Sequence, residues 1–384
     1  MSYTFDTLIE RRQTDSIKWR HYDPDVLPMW VADMDFRSPE PVIQALRDRV
    51  EHGVFGYADE SAELRQVLVE RLADRYHWQV KPDDILLMPG VVNGFNQACH
   101  ALGSPGDDVL VQTPVYGPIL KGPDYAGLNR VESSLVRKEN GWYGIDFEAF
   151  EKAITPETRL FILCNPHNPV GRVFTPEELS RMGEICLRHG VTLCSDEIHC
   201  DLVFNGHPHT PIATLSPELA RQTITLMAPS KTYNIAGLDC SFAVIQDAEL
   251  RQRFSQAGKG LVKGVNLLGM TAALAAYRGG QDWLDELLVY LQANRDFLVD
   301  FVKNNLPGIT MSVPEGTYLA WLDCQALELD QTPSDFFMAR ARVAMNDGKW
   351  FGPGGEGFVR LNFGCPRSQL AEALERMARA LKAR

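Results

Sequence analysis

Five short apolar runs before residue 230 limit the fold of this chain more strongly than any other feature. Each run is three to five residues long and almost entirely apolar. The runs span residues 85–88, 109–111, 160–164, 191–194 and 224–227. Near-continuous apolar runs of this length are typical of strands that helices cover on both faces of a sheet. They therefore predict five buried strands.

A helix is predicted between the third and fourth runs. Thr175 is its expected N-cap, Pro176 its first residue, and Glu178 closes a capping box. Gly190 ends the helix. A strand, a helix and a further strand in succession indicate a mostly parallel sheet, so the predicted fold class is α/β. Ligands of such sheets bind beyond the carboxyl ends of the strands.

The pattern changes after about residue 270. Residues 271–304 have a long helical periodicity, which predicts one long helix that bridges two domains. Residues 317–321 and 358–362 resemble strands of a smaller α+β unit. A terminal helix is predicted over 368–382 because four apolar residues lie along one of its faces: Leu370, Leu374, Met377 and Leu381.

The composition narrows the class of protein. A length of 384 residues favours two domains, and a net charge of −12 argues against a nucleic-acid binder and favours a small-molecule protein. The first 20 residues contain no continuous apolar segment, so we expect neither a signal peptide nor a membrane span there. The eight cysteines have no CxxC spacing, so we expect free thiols in a reducing cytoplasm rather than disulfides or a metal site.

Three polar residues follow the ends of predicted strands. Asn168 follows the third run, Asp196 the fourth and Lys231 the fifth. A lysine amine can form a Schiff base with an aldehyde, a carboxylate can keep a pyridine nitrogen protonated, and an amide can bind a phenolic oxygen. The three together predict a site for pyridoxal 5′-phosphate.

Five further motifs carry a resemblance over nearly the full length, in the right order: residues 29–36 (MWVADMDF), 53–57 (GVFGY), 195–199 (SDEIH), 316–321 (GTYLAW) and 357–366 (GFVRLNFGCP). The chain resembles fold-type I pyridoxal phosphate enzymes of the class I/II aminotransferase superfamily. Within that superfamily it is similar to the MalY/PatB group of cystathionine β-lyases, which cleave carbon–sulfur bonds.

The resemblance implies an architecture. It implies a large cofactor-binding domain over residues 45–275, with a mostly parallel seven-stranded sheet. A smaller α+β domain comprises residues 276–384, packed with the N-terminal segment 1–44. It also implies a homodimer whose two active sites are shared between the subunits.

The resemblance also assigns the cofactor site. Lys231 is the expected Schiff-base lysine, Asp196 the partner of the pyridine nitrogen and Asn168 the amide at the ring oxygen. His199 stands where many relatives carry a tyrosine that reaches the same oxygen. Simpler alternatives are a surface lysine, a helix-capping aspartate, an Asn-Pro turn and a structural histidine. Tyr116 resembles the aromatic residue that stacks on the ring, with a core tyrosine as its alternative.

Phosphate requires backbone donors at the start of a helix. The run 90–94 follows a strand and precedes a helix, so the amides of Val91 and Val92 are candidate phosphate donors. The alternative is a simple tight turn, which the same glycine pattern would also form. Ser230 adds a hydroxyl, and Tyr57 resembles the tyrosine that reaches the phosphate from a neighbouring subunit. Asp239 stands where many aminotransferases have a phosphate-binding arginine, which leaves the phosphate contacts incompletely assigned.

The substrate contacts come from the same resemblance. Arg360 resembles the arginine that binds the substrate α-carboxylate, because its planar fork fits two oxygens. An exposed strand arginine is the alternative. Ala32, through its backbone, and Trp30 are expected to line the substrate pocket, and apolar packing is an equal alternative for Trp30.

The function implied is α,β-elimination from cystathionine, cysteine or another S-substituted cysteine, which gives thiol, pyruvate and ammonia. An aminotransferase is the first alternative, since it uses the same lysine and cofactor. A regulator or sensor that keeps the fold without catalysis is the second. Such a protein could lose Lys231 or Asp196, and both residues are present.

Overall fold

The computed structural model describes residues 3–384. Positions 1 and 2 of the predicted N-terminal segment lie outside the described residues. In chain order the strands are β1 Leu27–Pro28, β2 Ile85–Met88, β3 Asp108–Thr113, β4 Asn129–Ser134, β5 Val136–Arg137, β6 Tyr143–Gly144, β7 Thr158–Cys164, β8 Thr192–Asp196, β9 Thr223–Met227, β10 Ser241–Val244, β11 Thr310–Met311, β12 Leu319–Asp323, β13 Val343–Ala344, β14 Asn346–Asp347 and β15 Phe358–Asn362. The α-helices are α1 Ile17–Arg20, α2 Glu40–His52, α3 Ala62–Tyr76, α4 Val91–Leu102, α5 Gly117–Tyr125, α6 Phe147–Lys152, α7 Pro176–Arg188, α8 Pro217–Arg221, α9 Pro229–Thr232, α10 Ala248–Gly258, α11 Leu267–Gly279, α12 Gln281–Asn305, α13 Pro333–Ala341 and α14 Arg367–Lys382.

A seven-stranded sheet in the order β2-β10-β9-β8-β7-β3-β4 forms the centre of the molecule. The strands from β9 to β4 are parallel, and β10 is antiparallel to both of its neighbours. All five predicted runs are strands of this sheet, which confirms the α/β fold class.

The two faces of the sheet explain why these strands are apolar throughout. In β7, Leu160 and Ile162 belong to a core that includes residues of α4, α5 and α10. Phe161 and Leu163 belong to a second core, on the other face, with residues of α6 and α7. Because successive side chains of a strand point to opposite faces, a sheet covered twice requires apolar residues at every position.

Helix α7 begins as predicted. The Thr175 hydroxyl accepts from the Glu178 amide at 3.2 Å, and the Glu178 carboxylate accepts from the Thr175 amide at 2.9 Å. The chain leaves the helix through Gly190, whose φ of +68° lies in the left-handed region that favours glycine.

The single long helix predicted over residues 271–304 is wrong, because the segment contains two helices, α11 and α12. They meet at Gly280. A Cβ atom at this position would lie 2.5 Å from the Ala276 carbonyl oxygen and 2.6 Å from the Tyr233 ring. The close approach of the Tyr233 ring requires a glycine, and the chain changes direction there. Helical periodicity continues across the break, so it cannot locate the junction.

A second sheet, in the order β11-β12-β15-β14, is antiparallel throughout. The predicted strands 317–321 and 358–362 correspond to β12 and β15, which pair with each other. The N-terminal segment joins this unit, since β1 pairs in parallel with β13. The predicted domain boundaries fall inside α2 and α11, which pack against each other. The division into two domains stays a prediction.

Two other sequence expectations concern the thiols and the helices. All eight cysteines are buried and free. Across residues 3–384, no helix has both the length and the apolar character needed to cross a bilayer.

Candidate active site

The three strand-end residues meet at one cavity of about 240 Å³. It lies at the carboxyl edge of the parallel strands, where β7, β8 and β9 end. Nine residues predicted from the sequence line it: Ala32, Val91, Val92, Tyr116, Asn168, Asp196, His199, Ser230 and Lys231.

Lys231 lies in the short helix α9 directly after β9. Its amine donates to the Ala32 carbonyl oxygen at 2.7 Å, and the Tyr318 hydroxyl donates to the same oxygen at 2.9 Å. Burial, followed by the positive charge of Arg360, lowers the pKa of Lys231 to about 8. A substantial fraction of the amine is therefore neutral near pH 8, and a neutral amine is a nucleophile.

Asp196 is the last residue of β8. Its carboxylate accepts from the Ile198 amide at 3.1 Å, and the residues that follow form a turn, not the helix that a capping role would require. Burial raises the pKa of Asp196 to about 7. A buried carboxylate with one backbone donor is well suited to bind a positively charged group.

Arg360 connects the second sheet to this edge of the first. Its guanidinium donates to the Asn168 side-chain oxygen at 3.1 Å, to the Asn346 side-chain oxygen at 2.7 Å and to the Trp30 carbonyl at 2.8 Å. Burial lowers the pKa of Arg360 to about 10. Among residues 3–384, no carboxylate lies within salt-bridge distance of it. The charge is thus held by neutral oxygens and is available to a carboxylate ligand.

His199 and Tyr116 border the same cavity. His199 is buried, and its Nδ1 has no hydrogen-bond partner among the described residues. Burial and then the charges of Lys231 and Arg360 lower the pKa of His199 to about 3, so the ring is neutral. The Tyr116 amide donates to the Asn168 carbonyl at 3.0 Å, which fixes the start of α5 beside the cavity.

The start of α4 provides backbone donors. Gly90 is its N-cap, and the amides of Val91 and Val92 are the first two of the helix, which have no intrahelical acceptor. Asn93, Asp239 and Ser241 also line the cavity and were not predicted as contacts. For Asn93 a signal was present, since it is a polar side chain in the first turn of a helix that follows a buried strand.

A larger cavity of about 1010 Å³ adjoins the first one. The two share Ala32, Lys231 and Ala236 in their linings. N-terminal residues between Tyr3 and Ile17 also line the larger cavity. Space for a ligand therefore continues from the lysine toward the N-terminal segment.

Three predicted site residues, Arg360, Trp30 and Tyr57, lie outside both linings. Arg360 donates to Asn168, which lines the first cavity. The Trp30 indole donates to the Lys18 carbonyl at 3.1 Å, so its side chain packs away from the cavity, while its own carbonyl binds Arg360. Tyr57 is fully exposed, at 111% of its reference area, and Val54 and Phe55 beside it are also exposed. Their predicted roles stay predictions.

Comparison with known proteins decides the family. The family described as aminotransferase class I and II matches residues 24–377. The chain belongs to this family. It is 43% identical over 385 residues to cystathionine β-lyase PatB of Bacillus subtilis, an alignment that covers 98% of this chain and 99% of that protein.

Solved structures of this family are similar throughout. Cystalysin from Treponema denticola, which contains pyridoxal 5′-phosphate, is 35% identical with a TM-score of 0.96, and the match covers 100% of both chains. The pyridoxal phosphate-bound C–S lyase from Staphylococcus hominis is 34% identical with a TM-score of 0.93, covering 99% of this chain and 98% of that one. The predicted family resemblance is confirmed.

Proposed function

We propose that this chain is a pyridoxal phosphate-dependent carbon–sulfur β-lyase, which cleaves cystathionine or related S-substituted cysteines to thiol, pyruvate and ammonia. The observation that carries the proposal is a single cavity bordered by a lysine of lowered pKa, a buried strand-end aspartate and the amide that binds a buried arginine. The relatives named cystathionine β-lyase and C–S lyase support the same reaction.

The residues of the cavity fit the cofactor. Lys231 offers an amine to an aldehyde, and the Asp196 carboxylate offers its charge to a protonated ring nitrogen. The unpartnered Nδ1 of His199 and the Asn168 amide are available to ring oxygens. The first amides of α4 suit a phosphate. Bound there, pyridoxal phosphate supplies an electron-accepting ring that stabilises negative charge at the substrate Cα.

Lys231 is the proton carrier of the proposed reaction. Its neutral amine takes the proton from the substrate Cα, and the electrons of that bond form the Cα–Cβ double bond. The Cβ–S bond breaks, and sulfur leaves with its electron pair and receives the proton. Water then converts the released aminoacrylate to pyruvate and ammonia. The Ala32 carbonyl, which is 2.7 Å from the amine, accepts from the protonated lysine between these steps.

Arg360 orients the substrate. Its fork binds the α-carboxylate, while Asn346 and the Trp30 carbonyl keep the guanidinium in place. A bidentate contact at one end of the amino acid determines which Cα bond faces Lys231. The larger cavity beyond Ala32 has room for the group attached to sulfur.

A homodimer in the cytoplasm is part of the proposal. The exposed apolar residues Val54, Phe55 and Tyr57 form a surface that a second subunit can cover, with Tyr57 directed to the partner's phosphate site. Eight buried free thiols suit a reducing compartment.

The test is an assay of the purified protein with cystathionine, cysteine and S-methylcysteine. We expect pyruvate, ammonia and thiol in equal amounts, with no keto acid added. An aminotransferase would instead require a keto-acid acceptor, leave the cofactor as pyridoxamine phosphate and release no thiol. That outcome would overturn the proposal, and an intact cofactor site with no turnover of any amino acid would favour a sensor.

A further inference from the structure

The two carboxylate oxygens of Asp201 have separate sets of partners. Oδ1 forms ion pairs at 2.8 Å with Arg71 and with Arg75, and it accepts from the Tyr76 hydroxyl at 3.1 Å. Oδ2 accepts from the Thr232 hydroxyl at 3.1 Å. One oxygen therefore binds only helix α3, and the other binds only the residue that follows Lys231.

Asp201 connects three parts of the molecule. It lies in the turn that follows Asp196 and His199, and Thr232 is the last residue of α9. Both Asp201 and Thr232 are buried, so water does not compete for the bond between them. Burial acts to raise the pKa of Asp201, but the charges of Arg71 and Arg75 outweigh it and hold the pKa below its usual value. Asp201 is therefore ionised, and an ionised acceptor binds a hydroxyl strongly.

Helix α9 needs such a contact. It has four residues, Pro229–Thr232, too few for its own hydrogen bonds to fix its orientation. Backbone bonds from the Tyr233 amide to the Pro229 carbonyl and from the Ile235 amide to the Ser230 carbonyl close this single turn. The direction of the Lys231 side chain thus depends on what holds the helix from outside.

We propose that Asp201 is a positioning residue for Lys231, which it orients through the Thr232 hydroxyl. This inference rests on the proposed function only for its effect on turnover. The ion pairs on Oδ1 keep the carboxylate against α3, and the bond on Oδ2 holds α9 so that the amine points at the Ala32 carbonyl. When the hydroxyl is removed, α9 can rotate and the amine becomes more solvated.

The test is Thr232→Val, which keeps the side-chain shape and leaves all contacts of Oδ1. The matched control is Thr223→Val in β9, a buried threonine whose hydroxyl has no partner among the described residues. The first readout needs no cofactor. The pH dependence of Lys231 acylation by acetic anhydride, followed by mass spectrometry, reports the lysine pKa. We expect Thr232→Val to raise that pKa from about 8 toward the ordinary value of a lysine. The control should leave it unchanged.

The second readout is thiol release by the cofactor-loaded protein. A misplaced amine lowers kcat, by roughly 10- to 100-fold for a displacement of about 1 Å, while KM changes little because Arg360 is untouched. If the wild type releases no thiol, the proposed lyase function fails, and the acylation profile still tests the positioning. A Thr232→Val protein with wild-type acylation profile and wild-type kcat would overturn the inference.

A second pair of variants tests the same role if Thr232→Val does not fold. Thr232→Ser and Thr232→Ala both lack the methyl group, and only serine keeps the hydroxyl. Serine should retain the lowered lysine pKa and alanine should lose it. Equal behaviour of the two would contradict the role of the hydroxyl.

Discussion

The Arg360 guanidinium donates to the side-chain oxygen of Asn168 across 3.1 Å, although one residue lies in the antiparallel sheet and the other in a loop after the parallel one. Arg360 lies in β15 of the antiparallel sheet, and Asn168 follows β7 of the parallel one. The proposed holder of the substrate carboxylate is therefore bound to the proposed partner of the cofactor ring oxygen. A shift of one sheet relative to the other would alter both contacts together.

Replacing Arg360 with lysine should weaken the binding of every amino-acid substrate to a similar extent. Lysine keeps the charge and loses the fork, so the cost falls on the shared carboxylate contact, by roughly 2–5 kcal/mol of binding free energy. The measurement is KM for cystathionine and for S-methylcysteine. Arg342→Lys, at an exposed arginine paired with Asp23 and Asp25, is the control. A loss confined to one side chain would place Arg360 elsewhere in the pocket.

The rate at which the cofactor-free protein binds pyridoxal phosphate covalently should depend on pH through Lys231. Only the neutral amine reacts, so the rate should rise with pH up to about 8 and then level off, because burial lowers the pKa to that value. The attached fraction is measured by borohydride reduction and mass spectrometry. An ordinary lysine would continue to gain rate up to about pH 10. Lys231→Ala should give no adduct.

Asp196→Asn should slow elimination by at least 100-fold, because the variant no longer stabilises a positively charged ring nitrogen. In the cofactor-free protein, the same replacement should increase stability. Burial raises the folded-state pKa of Asp196 to about 7, so the native carboxylate costs stability as pH rises toward 7 and remains costly above it. The variant should thus have a higher Tm at pH 8. Asp247→Asn, at the N-cap of α10, is the control and should keep full activity.

Tyr57→Phe should weaken cofactor affinity if Tyr57 reaches the phosphate of a second subunit. Mixing this variant with Lys231→Ala should form hybrid dimers in which one of the two sites is intact, and activity should reappear. Tyr125→Phe, at another exposed tyrosine, controls for surface effects. A fully active monomer in sedimentation would rule the shared site out.

Lys18→Met should destabilise the protein by about 3 kcal/mol, because it removes a partner from a buried carboxylate. Asp35 accepts from Lys18 at 2.6 Å and from the Trp19 indole at 2.8 Å. Burial acts to raise the pKa of Asp35, but Lys18 and Arg11 hold it below its usual value. The stability from this pair is thus present at neutral pH and lost as pH falls through the lowered pKa. The Tm difference between Lys18→Met and the wild type should shrink in acid. The control is Lys382→Met, at an exposed lysine, which should have the Tm of the wild type.

The sequence predicted most of the central strands that are covered on both faces and missed the polar edge strand. Strand β4 lies at an edge of the sheet and carries mostly polar, partly exposed residues. Strand β10 is the exception, since all four of its residues are buried and it was still missed. The break between α11 and α12 depends on the distant Tyr233 ring. Local patterns therefore found the centre of the fold and could not find features determined by long-range contacts.

The candidate site, too, could be predicted from the sequence only in part. Asn168, Asp196 and Lys231 were predictable because each follows a strand end and has its own chemistry. Tyr318 and Asn346 were not predicted as contacts, although each binds a key group directly, the Ala32 carbonyl and Arg360. Tyr318 precedes β12 and reaches the N-terminal segment, whereas Asn346 lies opposite Arg360 in the pairing of β14 with β15. The first contact depends on how the N-terminal segment packs and the second on which strands pair, and no local pattern records either.

The acceptor that holds Lys231 is a main-chain carbonyl oxygen, which every amino acid supplies. The side chain at position 32 can therefore change without loss of the acceptor. Residue 32 lines both cavities. Position 32 is accordingly a suitable starting point for directed evolution of this protein, since a library there varies the shape next to the reacting lysine and leaves the lysine's own anchor in every member.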